Sequence, residues 1–483
     1  MNIRTISSFA IGPIGAAALG FITLPIVTWF YSTEDVGRIA MLYVMSNFCV
    51  MLFSLGLDQA YVREYHITMG KGKSALLKAT LLPGLILLAV ALIICLVKPG
   101  FISKALFAVD SVLISLLVAI CFLATFISRF LSLILRMQEK GLAYSMSQIL
   151  PKILFVLVIG TYVLFSFGFD LFHLVIAHTI SILVVTLIYA WNTRIEWLAA
   201  CKSQVDIQNL KVMIRFGAPL VLGGAAFWGL TAIDKLFLRS YSSFEQLGIY
   251  SVSVSFAAAA SIFQSVFSTV WAPIVYKWAH SGEGLDKVEK VTQYVLLCVL
   301  LLFCFVGAFS WIVDFILPES YSSVKYIVVS CLGYPLLYTM SETTVIGIHI
   351  SRKTFYSMVA CIVAFAFNVL GNMLLIPHFG AAGAAVSTSM AFLLFLLLRT
   401  EFSVKLWRPI PRRKIYLFTF LMVVIALITT LYGEQIGYIL HLIWFGLLLI
   451  VLLSFKKEVV ETIGWCRALS GGENRTVLSD IKQ

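Results

Sequence analysis

YSTEDVGRI (residues 31–39) is a short polar break between two apolar runs, and SSFEQLGIY (242–250) repeats its pattern. Ser32 matches Ser243, Glu34 matches Glu245 and Gly37 matches Gly248, all at an offset of 211 residues. A second anchor, Gly168 and Gly380, lies at an offset of 212. Agreement between the two offsets marks an internal repeat. The apolar stretches around the anchors show what is repeated. A membrane span needs about 20 mostly apolar residues, each rising ~1.5 Å across ~30 Å of hydrocarbon. Fourteen stretches qualify: 8–30, 39–60, 76–97, 111–135, 145–167, 172–192, 213–238, 246–275, 292–316, 324–350, 354–377, 380–400, 415–433 and 436–454. Six spans separate the two copies, and an even number preserves direction. Parallel repeats about an axis along the membrane normal are therefore expected.

Composition agrees. The chain has 483 residues, 61% hydrophobic and 12% charged, with a mean hydropathy of +0.99. Soluble proteins average about 45–50% apolar and about 25% charged residues. A water-soluble globule, a disordered chain and a disulfide-stapled one are excluded. No stretch alternates with period two, so a β-barrel is not expected. The N-terminal apolar stretch is long, contains Gly12, Pro13, Gly15, Gly20 and Pro25, and leads into further spans; it does not read as a cleaved signal peptide. The nine cysteines form no CxxC pair and read as small buried hydrophobes.

The net charge of +12 comes from 35 Lys+Arg against 23 Asp+Glu. With the N-terminus inside, the outer loops hold Arg38, Lys98, Lys104, Arg239 and Lys325. Arg129, Lys152 and Lys235 fall within spans. The other 27 of the 35 cations fall in or next to the inner loops and tails, densest at Arg408, Arg412, Arg413 and Lys414. Such a bias places both termini in the cytoplasm and accounts for the basic character without nucleic acid. The expected fold is an all-α integral membrane protein of about 14 transmembrane helices. Residues 1–195 and 213–405 are two pseudo-symmetric six-helix bundles, 196–212 a cytoplasmic linker, 406–454 two further helices and 455–483 a cytoplasmic tail. Facing bundles imply alternating access, a transporter's mechanism. Walker A, GxGxxG, HExxH and GxSxG patterns are absent from the sequence, so no enzyme is expected, with neither catalytic nor metal-ligating residues.

Four stretches carry a family likeness: LPIVTWFYSTEDVGRIAMLY (24–43), LGLDQAYVREY (55–65), RFGAPLVLGGAAFWGLTAIDKLFLRSYSSFEQLGIYSVS (215–253) and IPHFGAAGAAVST (376–388). In their order and spacing the chain resembles the polysaccharide transport flippases of the multidrug/oligosaccharidyl-lipid/polysaccharide exporter superfamily, typified by bacterial O-antigen flippases. The resemblance implies translocation of a polyprenyl-diphosphate-linked oligosaccharide from the cytoplasmic to the periplasmic leaflet of the bacterial inner membrane. It implies coupling to a proton or sodium gradient, contact with membrane lipids and work beside a polysaccharide polymerase. The alternatives are a peptidoglycan lipid-precursor flippase and a cation-coupled multidrug exporter of the same superfamily.

A charge at mid-membrane costs about 2.5–3.5 kcal/mol on insertion scales, so each one needs a reason. An anionic, hydroxylated headgroup calls for a wet cationic cavity. Arg129 and Lys152 are candidates to receive the diphosphate, or else snorkelling or paired residues. Lys235 is a third candidate. Asn368 and Asn372 share a helix face at i, i+4 and either bind sugar or glue helices, as do Asn47 and Gln148. Asp58 and Arg63 read as gate or ion-pair residues, with Arg129 a possible partner for Asp58. Asp234 reads as a coupling or gating residue paired across the bundle interface, or else as part of an interfacial pair near the periplasmic surface. Glu342, flanked by Ser341, Thr343 and Thr344 and followed by His349, is the candidate for ion coupling, or a salt-bridged structural residue.

Overall fold

The computed structural model describes residues 3–68, 72–205, 207–281 and 287–470. Every regular element among them is helical. The chain runs through α1 (Ile3–Phe30), α2 (Thr33–Phe53), α3 (Leu57–Glu64), α4 (Gly72–Leu96), α5 (Phe101–Phe107), α6 (Val112–Met137), α7 (Gly141–Leu164), α8 (Leu171–Asn192) and α9 (Arg194–Lys202). Next come α10 (Ile207–Tyr241), α11 (Phe244–Ser281), α12 (Lys287–Phe309), α13 (Val313–Ile316), α14 (Val324–Cys331), α15 (Gly333–Thr344) and α16 (Ile346–Ile350). The last are α17 (Phe355–Leu406), α18 (Arg413–Ile436), α19 (Ile439–Ser454) and α20 (Lys456–Ser470).

Short polar residues start the helices where the sequence has them. Ser32 is extended, and its hydroxyl accepts from the Asp35 amide at 3.1 Å. Ser111 caps α6 through the Ile114 amide, and Asp170 caps α8 through the His173 amide at 3.0 Å. Each satisfies an amide that the first helical turn leaves unpaired.

Among the described residues, ten helices are long and apolar enough to cross a membrane, or eleven if one bent pair counts as a span. The expected fourteen differ from this for local reasons. Span 1 corresponds to the 28-residue α1, within which Ile14–Phe30 is the apolar stretch. Span 10 is broken into α14, α15 and α16. Spans 11 and 12 join in the 52 residues of α17, which turns at Gly380 (φ 51°, ψ −125°), a backbone region open only to glycine. Span 14 is the 16-residue α19, bent by 78° from the helix that follows. Among the described residues, the stretches near 193–212 and 276–291 contain α9, the start of α10, the end of α11 and the start of α12. Of the tail, α20 is described and 471–483 lie outside the described residues.

Two compact units divide the chain. One comprises Met1–Ile262, Ile316–Ser322 and Phe365–Ala384; the other comprises Phe263–Phe315, Ser323–Ala364 and Ala385–Gln483. In the first, α1 lies along α7 and α6 along α8. Gly12 and Gly15 let α1 approach Ser145 and Ile149 of α7, the close packing that small residues permit between membrane helices. In the second, α12 packs on α19 and α14 on α18.

The repeat anchors meet inside the first unit. A Cβ on Gly37 would collide with the Phe244 carbonyl and lie 2.9 Å from the Gly248 amide nitrogen. A Cβ on Gly248 would collide with the Thr33 carbonyl and lie 3.2 Å from the Gly37 nitrogen. Gly380 meets the Gln246 side chain, whose Oε1 accepts from the Ala381 amide at 3.0 Å.

Candidate functional site

A cavity of about 500 Å³ opens within the first unit, walled by α1, α2, α6, α7, α8, α10 and α11. Its polar lining includes Lys152, Lys235, Asn47, Gln148, His178 and Ser255. Two lysines and no carboxylate are among the described residues that line it. Lys152 follows Pro151 on α7, and its ammonium donates to the Ala16 carbonyl of α1 beside Gly20, where no side chain blocks it. Lys235 enters from α10. His178 closes one wall, edge-on to Tyr43 with centroids 4.5 Å apart. Lysine ammonium groups beside amide and hydroxyl side chains suit an anionic, hydroxyl-rich ligand.

Arg129 is elsewhere. Thr125, one turn earlier on α6, lines the cavity, whereas Arg129 Nη2 donates to Asp58 Oδ2 at 2.9 Å. The structure thus brings Asp58 and Arg129 together across 71 residues of sequence. Gln59 also donates to Asp58 Oδ2, at 3.0 Å. Arg63 does not pair with Asp58; its guanidinium stacks over Phe216 at 4.4 Å and reaches Glu64 at 3.4 Å.

Asp234, Asn368 and Asn372 form one fully buried network in the same unit. The Asn372 amide donates to Asp234 Oδ1 at 2.7 Å and to Asn368 Oδ1 at 3.1 Å. The Tyr250 hydroxyl donates to Asp234 Oδ2 at 2.5 Å. Neither asparagine is among the cavity's lining residues. Buried away from water, these groups bond to one another, although Asn372 Oδ1 finds no hydrogen-bond partner among the described residues.

Glu342 lies in the second unit and is held there by Arg399. Arg399 Nη1 donates to Glu342 Oε1 at 2.8 Å and to Ser341 Oγ at 2.6 Å. Both side chains are nearly buried, at 6% and 13% exposure. The Arg399 guanidinium also lies over Phe395 at 4.9 Å and Tyr338 at 5.5 Å. On α11, Trp271 Nε1 donates to the Glu342 carbonyl at 3.2 Å. His349 Nδ1 meets the Tyr276 hydroxyl at 2.9 Å. Arg399 was missed from sequence because it stands one residue from the end of the 380–400 span and is counted with the cations that read as topology signals. The signal that would have found it is a carboxylate within a span, which demands a cation somewhere.

Residues 3–279 match the family described as "Polysaccharide biosynthesis protein". The probable low-salt glycan biosynthesis flippase Agl15 of Haloferax volcanii is 20% identical over 249 residues, covering 50% of this chain and 51% of that protein. The chain therefore spans about half the length of that relative. An uncharacterized membrane protein of Methanocaldococcus jannaschii is 22% identical over 489 residues, 92% of this chain and 96% of its own. Among solved structures, Lipid II flippase MurJ in an inward closed conformation has a TM-score of 0.67 at 14% identity, covering 94% of this chain and 99% of that one. An inward-facing multidrug resistance MATE family transporter of the MOP superfamily has a TM-score of 0.56 at 13% identity, covering 80% and 94%. The architecture is thus an all-helical, MurJ- and MATE-like transporter fold. With more than half of its length matched, the chain belongs to the polysaccharide biosynthesis protein family.

Proposed function

We infer that this protein is a flippase carrying a polyprenyl-diphosphate-linked oligosaccharide, the repeat unit of an O-antigen or similar surface polysaccharide, from the cytoplasmic to the periplasmic leaflet. The observation that carries the reading is the cavity with Lys152 and Lys235 on its wall and no carboxylate among its described lining residues. A diphosphate leaving water needs compensating cations, and the sugars need donors and acceptors; the prenyl tail stays in the bilayer. The Lys152 ammonium would exchange the Ala16 carbonyl for a phosphate oxygen, while Asn47 and Gln148 would meet sugar hydroxyls. The glycan flippase of Haloferax volcanii supports a glycan cargo by likeness.

Transport would proceed by alternating access between bundles 1–195 and 213–405 in the inner membrane, with both termini cytoplasmic. A proton or sodium gradient would drive it, with Glu342 as the coupling carboxylate and Asp234 holding its buried network. The lipid II flippase likeness supports a second reading, a peptidoglycan-precursor flippase with the same headgroup chemistry. A multidrug exporter of cations is disfavoured by the sign of the cavity's charge.

The test is reconstitution of the full chain in vesicles with a fluorescent lipid-linked oligosaccharide on one leaflet. Flipping that requires Lys152 and Lys235 supports the reading. Export of lipophilic cations without movement of the glycolipid sinks it.

A further inference from the structure

The Glu342–Arg399 pair is not built as a saturated clamp. One guanidinium nitrogen, Nη1, serves both Ser341 Oγ and Glu342 Oε1. Arg399 Nε is buried and has no hydrogen-bond partner among the described residues. A guanidinium placed for static strength would grip the carboxylate with two parallel bonds. Arg399 instead has an unused donor and two aromatic faces, Phe395 and Tyr338, that hold a cation whatever the charge of Glu342. The helices are also tied without the charges. The Thr344 and Thr400 hydroxyls meet at 2.7 Å, and Ser403 Oγ accepts from the Gly347 amide at 2.9 Å. The carboxylate is therefore free to change partner while α15, α16 and α17 stay together.

We propose that Arg399 and a small coupling cation, a proton or a sodium ion, compete for the Glu342 carboxylate. Arg399 is the tethered stand-in that neutralises Glu342 while the ion is away. This rests on the coupling role given above to Glu342 and adds a positioning residue to it. A buried carboxylate is never left bare in such an exchange: the arriving cation replaces the guanidinium, and Phe395 and Tyr338 retain the arginine. Other titratable groups among the described residues stand around the pair. Tyr338 lies on α15, His349 on α16, Tyr276 on α11 and Cys361 on α17.

Trp271, hydrogen-bonded to the Glu342 carbonyl, is the reporter. Purified full-length protein is titrated by tryptophan emission along two arms without cargo: pH in potassium buffer, and sodium replacing choline at constant ionic strength. Trp271→Phe supplies the blank. The arm that gives a midpoint identifies the cation. Arg399→Gln is expected to raise the apparent affinity at least tenfold, seen as a midpoint one pH unit higher or at one-tenth the sodium. Arg399→Lys keeps the charge and stays within threefold of the parent, and Glu342→Gln removes the transition. Glu342→Asp, which draws the carboxylate back from Arg399, shifts the midpoint in the same direction as Arg399→Gln and serves if that variant does not fold. An unchanged midpoint in Arg399→Gln or Glu342→Asp overturns the proposal, as does a transition that survives Glu342→Gln or no transition in any variant. A chain that flips cargo yet shows no competition retires this inference alone. One that shows competition but leaves the glycolipid in place retires the flippase reading alone.

Discussion

Gly37 and Gly248, equivalent positions in the two copies of the repeat, lie against each other, each one's absent side chain making room for the other's backbone. Gly37→Ala would drive a methyl into the Phe244 carbonyl. Overpacking of this kind costs about 1–3 kcal/mol, against a gain of up to about 1 kcal/mol that alanine brings to an unobstructed helix position. The control is Gly223→Ala in α10, where a Cβ meets nothing within 4 Å. Thermal unfolding of the solubilised protein should fall for the first and hold or rise for the second; equal values would show that the helices do not touch there.

Lys152→Ala with Lys235→Ala should lower the initial flipping rate by roughly tenfold or more, since a hydrogen bond to a charged group is worth ~1.5–3 kcal/mol. Lys152→Arg, which keeps the charge, should retain most of the rate. Vesicle assays at matched protein content decide it, and an undiminished double variant would remove phosphate contact from the cavity.

The Asp58–Arg129 bridge has side chains 11% and 35% exposed, between a buried pair and a surface one. Breaking a buried pair costs about 3–5 kcal/mol and a surface pair contributes about 0–1 kcal/mol. Asp58→Asn alone should therefore cost roughly 1–3 kcal/mol, and Asp58→Asn with Arg129→Met less than the sum of the two. A double-mutant cycle on unfolding midpoints measures the interaction; strict additivity would mean the bridge is energetically idle.

Asn372→Ala leaves the buried Asp234 carboxylate without the amide that contacts it at 2.7 Å. Loss of a buried partner costs about 1–3 kcal/mol. The unfolding temperature should drop while the apparent affinity for cargo stays put. A variant that folds normally but loses affinity would make Asn372 a sugar-contacting residue.

Asp170, outside the spans at the start of α8, has a carboxyl that burial pushes up, but the hydrogen bonds from the His173 amide and ring outweigh this and hold it below the usual carboxylate value. A carboxyl depressed in the folded state stabilises the protein at neutral pH, and that contribution is lost as pH falls through the folded value. Acid unfolding of Asp170→Asn should therefore lack part of the parent's decline with pH below the carboxylate range. Identical pH profiles would show that the cap makes no charge-dependent contribution.

Much of this was legible in the sequence, because it follows from one-dimensional rules. Apolar runs near 20 residues announce spans, and polar caps such as Ser32 and Asp170 announce helix starts. A carboxylate in the motif LGLDQAYVREY needs a cation, and Arg129 was within reach. What was not legible depends on geometry. Span 10 breaks at single residues rather than at a polar loop, so no composition change marks it. Asn368 and Asn372 present the same pattern whether they face water or each other, and their contact with Asp234 is visible only in three dimensions. Arg399 carries no local mark of burial; its partner lies 57 residues away.

The turn at Gly380 has a consequence for how the gene can vary. Its backbone angles exclude every residue with a Cβ, and the Gln246 side chain already fills the space one would take. Phe379 beside it is 40% exposed and tolerant by contrast. Every side chain at position 380, alanine included, would therefore be strained. What the chain requires at this position is a backbone angle, not a chemical group.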